Sequence, residues 1–270
     1  MKIMPILVIA GFSLIVFSCS NNPYKSTNRS YTQQAKTYSK ELREVPPNGA
    51  SDSLQTPGFF VGTTNFNMRK PNFVIIHHTA QNSCEQTLKA FTRKASNVSA
   101  HYVICKDGTV HHMLNDYLRA WQAGNSKWGS VTDINSSSIG IELDNTGFET
   151  FSDEQIASLL RLLTKLKKNY GIPAANFIGH ADIAPRRKND PNITFPWKKL
   201  SEQGFGLWYD DTRDSVPSPF NSIIALRLMG YDTKDTTAAI HAFKRHFMQD
   251  TSGVMNEMDK SVLNNLQKKY

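Results

Sequence analysis

Apolar and polar positions divide the chain into four stretches. Ile3 to Phe17 is an apolar run behind Lys2. Residues 20–57 are polar, rich in Ser, Thr, Asn, Gln and Lys. From about residue 58 to Trp208, short apolar runs alternate with amphipathic segments. The last fifty-odd residues repeat apolar positions at helical spacing.

Within the third stretch, Asn72 to His77 reads as a buried strand, because its apolar run is continuous. Glu85 to Lys94 reads as a helix with Leu88 and Phe91 on one face. Ala100–Lys106 and Thr109–Leu114 predict a hairpin around Asp107-Gly108, a dipeptide suited to a type I′ turn. Ser138 to Leu143 is another strand. Ser152 with Gln155 three residues on predicts a capping box. Ile156, Leu159, Leu160, Leu163 and Leu166 then follow helical spacing up to Tyr170-Gly171, with Pro173 beyond. Phe177 to Gly179 is a last short strand. The pattern predicts an α/β fold, a mixed central β-sheet flanked by helices.

Residues 210–218 form a polar joint. Ser218-Pro219 predicts a cap followed by proline in the first helical position. Ile223, Leu226 and Met229 mark one helix, Ile240, Phe243 and Phe247 a second, and Met258, Val262, Leu263 and Leu266 a third. A three-helix domain of this size is marginal alone, so packing on the larger unit is expected.

The polar stretch at 20–57 lacks the apolar clusters needed for a core and reads as a flexible tether. The run before it is too short to span a bilayer comfortably and suits a signal peptide, residues 1–18. Val16-Phe17-Ser18-Cys19 has the form of a bacterial lipobox, which predicts cleavage before Cys19 and acylation of that cysteine. Ordinary signal cleavage with an incidental cysteine is the plainer alternative. Ser20 suggests the outer membrane, by analogy with known lipoprotein sorting. The expected organisation is signal peptide 1–18, lipidated tether 19–57, main α/β domain 58–209 and helical domain 215–270.

The formal charge of +8 often means nucleic acid, but an exported lipoprotein meets none. Anionic cell-wall polymer or lipid headgroups are the expected neighbours. A monomer is expected. Of the three cysteines, Cys19 is assigned to the lipid. Cys84 and Cys105 either pair in an oxidising periplasm or leave Cys105 as a buried thiol. The absence of Cys-x-x-Cys excludes a cysteine zinc knuckle.

Two predicted strands end in histidine. His77 and His78 close the first, and His180 follows Phe177–Gly179, with Asp182, Arg186, Arg187, Lys188 and Asp190 beyond it. Two imidazoles and a carboxylate are the ligand set of an open catalytic zinc site, so the leading chemistry is a zinc hydrolase. Asp182 and Asp190 compete for the carboxylate position. His78 points to the opposite face from His77 and reads as supporting or structural. Glu142 interrupts an apolar strand, where a carboxylate is costly unless used or paired.

Val74-Ile75-Ile76-His77-His78-Thr79-Ala80, Ser138-Ile139-Gly140-Ile141-Glu142-Leu143 and Gly179-His180-Ala181-Asp182-Ile183-Ala184-Pro185-Arg186-Arg187-Lys188 together resemble the type 2 N-acetylmuramoyl-L-alanine amidases. This family includes phage amidase-type lysozymes and resembles animal peptidoglycan recognition proteins. The resemblance runs from about Phe59 to Trp208. Leu228-Met229-Gly230-Tyr231, Ala242-Phe243-Lys244-Arg245-His246-Phe247 and Gly253-Val254 resemble a small helical peptidoglycan-binding domain. Outer-membrane lipoprotein amidases of the family carry such a module in the same place.

The resemblance implies zinc held by His77, His180 and Asp190, Glu142 as catalytic acid/base, and Lys188 facing the oxyanion. It implies peptidoglycan or its muropeptides as substrate. Arg187 and Trp121 are candidate substrate contacts, although core packing is an equal alternative for Trp121. His101, His111 and His112 read as structural, with His101 a candidate for the cleft lining. Gln122 stands where many relatives have His, which puts a substrate contact in doubt but not the zinc site. A recognition protein without catalysis and a zinc peptidase acting within the stem peptide are the competing functions.

Overall fold

The computed structural model describes residues 22–44 and 62–270. The expected signal peptide, Cys19 and residues 58–61 lie outside the described residues. Helix α1, Lys25–Glu41, occupies the stretch read as a flexible tether. That expectation is corrected here: Gln, Ala, Lys and Glu are good helix formers, and none of the helix's residues is buried. The composition was right that this segment builds no core. Among the described residues, no helix is long and apolar enough to cross a membrane.

Residues 64–270 form a unit of their own. Its sheet comprises β1 (Phe73–His78), β2 (Tyr102–Ile104), β3 (Val110–His112), β4 (Ser138–Leu143) and β5 (Phe177–Gly179), in the order β3-β2-β4-β1-β5. Only β2 and β3 pair antiparallel; β2–β4, β4–β1 and β1–β5 are parallel. Parallel strands deliver their C-terminal ends to one edge, so the residues after Ile76, Ile141 and Gly179 emerge together.

Alternation along β1 divides the interior. Val74 and Ile76 face a core built with Ile139, Ile141 and Leu143, covered by α3 (Asp153–Tyr170) through Ile156, Leu159, Leu163 and Leu166. Phe73 and Ile75 face the other core. Leu160 is only half-buried, while Leu162 joins the buried set. Half of the expected capping box forms. Ser152 Oγ accepts the Gln155 N–H at 3.1 Å, but the Gln155 amide turns inward and donates to the carbonyls of Ile104 and Asp144. Two buried sheet carbonyls outcompete the helix cap.

The hairpin strands are shorter than expected, and only Gly108 of the turn takes a positive φ, 81°. A type I′ turn needs two such residues; here Gly108 N–H closes onto Cys105 O at 3.0 Å instead. Cys84, at the start of α2 (Cys84–Thr92), is disulfide-bonded to Cys105 beyond β2, resolving the open choice.

The chain continues through α4 (His180–Ile183) and α5 (Trp197–Ser201) to α6 (Ser222–Met229), α7 (Thr236–Phe247) and α8 (Glu257–Leu266). α6 starts later than Ser218-Pro219 predicts, because Asn221 Oδ1 caps Ile223 N and Ile224 N. The three helices do not form a core of their own. Leu226, Met229, Phe243, Phe247, Leu263 and Leu266 join Phe73, Ile75 and Ile178 in one cluster. The helical segment therefore covers the same sheet face on which His77 lies, as its marginal size requires.

Candidate metal centre and active site

The register of β1 against β4 sets His77 opposite Glu142. β5 runs out one residue before His180, which opens α4. The loop after α4 returns Asp190 to both imidazoles: its Oδ2 lies 3.0 Å from His77 Nδ1 and 3.0 Å from His180 Nδ1. One ligand atom from each of the three residues lies within 4.8 Å of the others, and all three residues are buried.

Contacts on the far side of each ring decide which nitrogen faces this point. His77 Nε2 lies 2.6 Å from Gln122 Oε1, and the Gln122 amide donates to Ser138 Oγ at 2.7 Å. Ser138 in turn donates to Ile134 O at 2.6 Å. An amide oxygen can only accept, so His77 carries its proton on Nε2 and presents the Nδ1 lone pair. His180 Nε2 lies 3.2 Å from Ala123 O, which fixes the same tautomer. Two nitrogen lone pairs and a carboxylate oxygen face one another. Such acceptors repel unless a cation lies among them, and neutral imidazoles with one carboxylate suit a divalent metal such as zinc.

The surrounding charges act differently on the two rings. Burial pushes His180 down to about 4, so it stays neutral. Burial also disfavours a charged His77 ring, yet Glu142 and Asp190 outweigh it and the net shift is upward. Burial works against the Asp190 carboxylate too, but the two imidazoles hold it far below the usual range. Burial pushes Glu142 up to about 7. Its Oε1 lies 4.0 Å from His77 Nδ1, and its buried Oε2 has no hydrogen-bond partner. A carboxyl group so placed can take and return a proton near neutrality.

The remaining candidates separate. Asp182 is turned away and serves other partners. Lys188 is exposed, and both Glu142 and His180 feel its charge. Trp121 leaves its ring half in solvent (53% exposed) while its backbone is tied to Ser99. The core alternative therefore falls. Arg187 is exposed and also braces the loop beside His180. Its guanidinium bonds the carbonyls of Ala123 (3.1 Å) and Asn125 (3.0 Å), clamping the loop that orients His180. His101 is fully buried between Leu118 O and Gly140 N and lines no cleft.

Sequence reading missed Gln122 as the residue that orients His77. The available signal was Gly140 inside an apolar strand, which marks a close approach: a Cβ there would lie 2.6 Å from Gln122 Cγ.

The sequence model for N-acetylmuramoyl-L-alanine amidase matches residues 67–193. N-acetylmuramoyl-L-alanine amidase AmiD of Escherichia coli (strain K12) is 33% identical over 206 residues, spanning 64% of this chain and 74% of AmiD. The chain belongs to this amidase family. Among solved structures, E. coli AmiD with anhydro-N-acetylmuramic acid-L-Ala-D-gamma-Glu-L-Lys superposes with a TM-score of 0.69 at 28% identity, covering 80% of this chain and 97% of AmiD. Pseudomonas aeruginosa AmpDh3 with anhydromuramic pentapeptide gives a TM-score of 0.69 at 28% identity, covering 81% of this chain and 99% of AmpDh3. The shared architecture extends through the helical segment as well as the sheet.

Proposed function

We propose that this amidase is zinc-dependent and cuts the amide between the lactyl group of N-acetylmuramic acid and the L-alanine that begins the stem peptide. The observation that carries this reading is the convergence of His77, His180 and Asp190 within 4.8 Å beside a protonatable Glu142 whose Oε2 has no hydrogen-bond partner. Muropeptides bound in the AmiD and AmpDh3 structures support a substrate of the same class here.

His77 and His180 through Nδ1, with Asp190 through its carboxylate, would hold the ion. A zinc ion in such a site supplies an activated water at neutral pH and polarises the scissile carbonyl. Glu142 takes the proton released on attack and passes it to the leaving amine; its buried, raised carboxyl group suits both transfers. Lys188 offers a cation to the oxygen on which negative charge develops. Trp121 presents an exposed ring to sugar or peptide. Acylation at Cys19 would anchor the enzyme in the periplasm at the outer membrane, and wall contact by the C-terminal helices would raise the local substrate concentration.

The test is digestion of purified peptidoglycan, and separately of anhydromuropeptides, by the full chain with and without a chelator. Mass spectrometry should find free stem peptides beginning with L-alanine, only with zinc, and none with Glu142→Ala. Cuts inside the stem would replace this reading with a peptidase. Wall binding without products would leave a recognition protein.

A further inference from the structure

Asp182 lies two residues past His180 yet stands apart from the metal cluster. It is buried, and its carboxylate accepts three hydrogen bonds: Gly179 N–H (2.7 Å) and His246 Nδ1–H (2.8 Å) on Oδ2, and the Tyr231 hydroxyl (2.8 Å) on Oδ1. One donor is the peptide that opens the turn from β5 into α4. The other two belong to the C-terminal helical segment.

Each donor is constrained to its task. Burial and the Asp182 charge push the Tyr231 hydroxyl well above its ordinary range, so it keeps its proton. His246 Nε2 is buried without a partner, leaving Asp182 as the ring's polar anchor. The His246 ring stacks on Trp197 at 3.9 Å between centroids and on Phe247 at 4.1 Å.

This cluster touches both parts of the ligand-bearing segment. A Cβ on Gly179 would lie 3.0 Å from Pro191, 3.1 Å from Asp182 Oδ2 and 3.2 Å from Trp197. There is thus no slack between the residue before His180 and the residue after Asp190. Ala181 N–H donates to Asp190 O at 2.8 Å, joining the two parts again. A buried carboxylate that loses a donor must rotate or admit water, and either change releases Gly179 N–H and the turn it caps.

We propose that Tyr231 and His246 are positioning residues for the metal: through Asp182 the helical segment fixes the turn that aims His180 and Asp190 at a common point. This inference rests on the zinc-ligand reading above. It places the C-terminal helices inside the catalytic unit, whatever they do at the wall.

The test uses the full chain with Tyr231→Phe and His246→Phe, which keep ring packing and remove one donor each. Zinc dissociation constants are measured by competition with a chromogenic chelator, and kcat and KM at saturating zinc. Each variant should bind zinc about tenfold more weakly, the low end of losses from outer-shell partners. Saturating zinc should restore most of kcat with KM unchanged. Leu226→Ala, in the same buried cluster but without a bond to Asp182, should lower the melting temperature and leave zinc affinity intact. If the Tyr231 and His246 variants weaken zinc no more than Leu226→Ala does, the inference is overturned and the contacts only glue the interface. A His180→Ala variant separates the two readings, since wild-type zinc affinity there would overturn the ligand assignment itself.

Discussion

His77 and Glu142 face each other across the β1–β4 ladder, with His77 Nδ1 4.0 Å from Glu142 Oε1. A single register thus fixes the distance between a metal-facing imidazole and the carboxyl group that moves the proton. Replacing Glu142 by Gln keeps the shape and removes the titratable group. kcat should fall by about 10²–10⁴, while zinc content measured by elemental analysis stays at the wild-type level. Loss of zinc along with activity would show that Glu142 holds the metal site together instead.

The same residue gives the chelated protein a pH signature. Its carboxyl group is raised from 4.5 to about 7 by burial. Between those values the folded chain retains a proton that the unfolded chain has released. Glu142's contribution to stability therefore falls as pH rises through this window. His180, pushed down to about 4, acts in the opposite direction and is present in both proteins. His77, which Glu142 helps to raise, changes with the substitution and adds to the difference in the same direction as Glu142. In chelator, Glu142→Gln should gain on wild type from pH 5 to pH 8, by up to about 3 kcal/mol. Urea unfolding at four pH values would reveal it; a constant gap would mean that Glu142 is ordinary in the folded state.

Gln122 holds the His77 tautomer through the 2.6 Å contact at Nε2. Gln122→Ala should weaken zinc binding by about 10–100-fold, read by chelator competition. An unchanged affinity would show that His77 is oriented without it.

The core shared by the sheet and the C-terminal helices predicts one unfolding event. Phe243, fully buried in that cluster, should cost about 3–5 kcal/mol when cut to Ala. The calorimetric transition of residues 64–270 should stay single and move down as a whole. A separate low-temperature transition for the helices would contradict a common core.

Much of this was legible because local signals and tertiary demands agree. The apolar run ending in His77, the Glu142 strand and the turn after Gly179 are buried on both faces, so hydrophobic continuity marks them and parallel pairing gathers their ends. Gln122 was not legible. Its role depends on Gly140 leaving room on a neighbouring strand, a relation between residues 18 positions apart. Asp182 was ambiguous for a similar reason: its donors, Tyr231 and His246, lie about 50 and 64 residues away. The polar helix α1 was missed because composition reports what can build a core, and a solvated helix needs none.

The Cys84–Cys105 bond closes a loop with a sequence separation of 21 and ties the start of α2 to the end of β2. Cross-linking a loop of that size removes unfolded conformations worth about 3 kcal/mol. The redox state of the surroundings is thereby written into the fold: chain made in a reducing cytosol forgoes this restraint, whereas chain matured in an oxidising compartment acquires it.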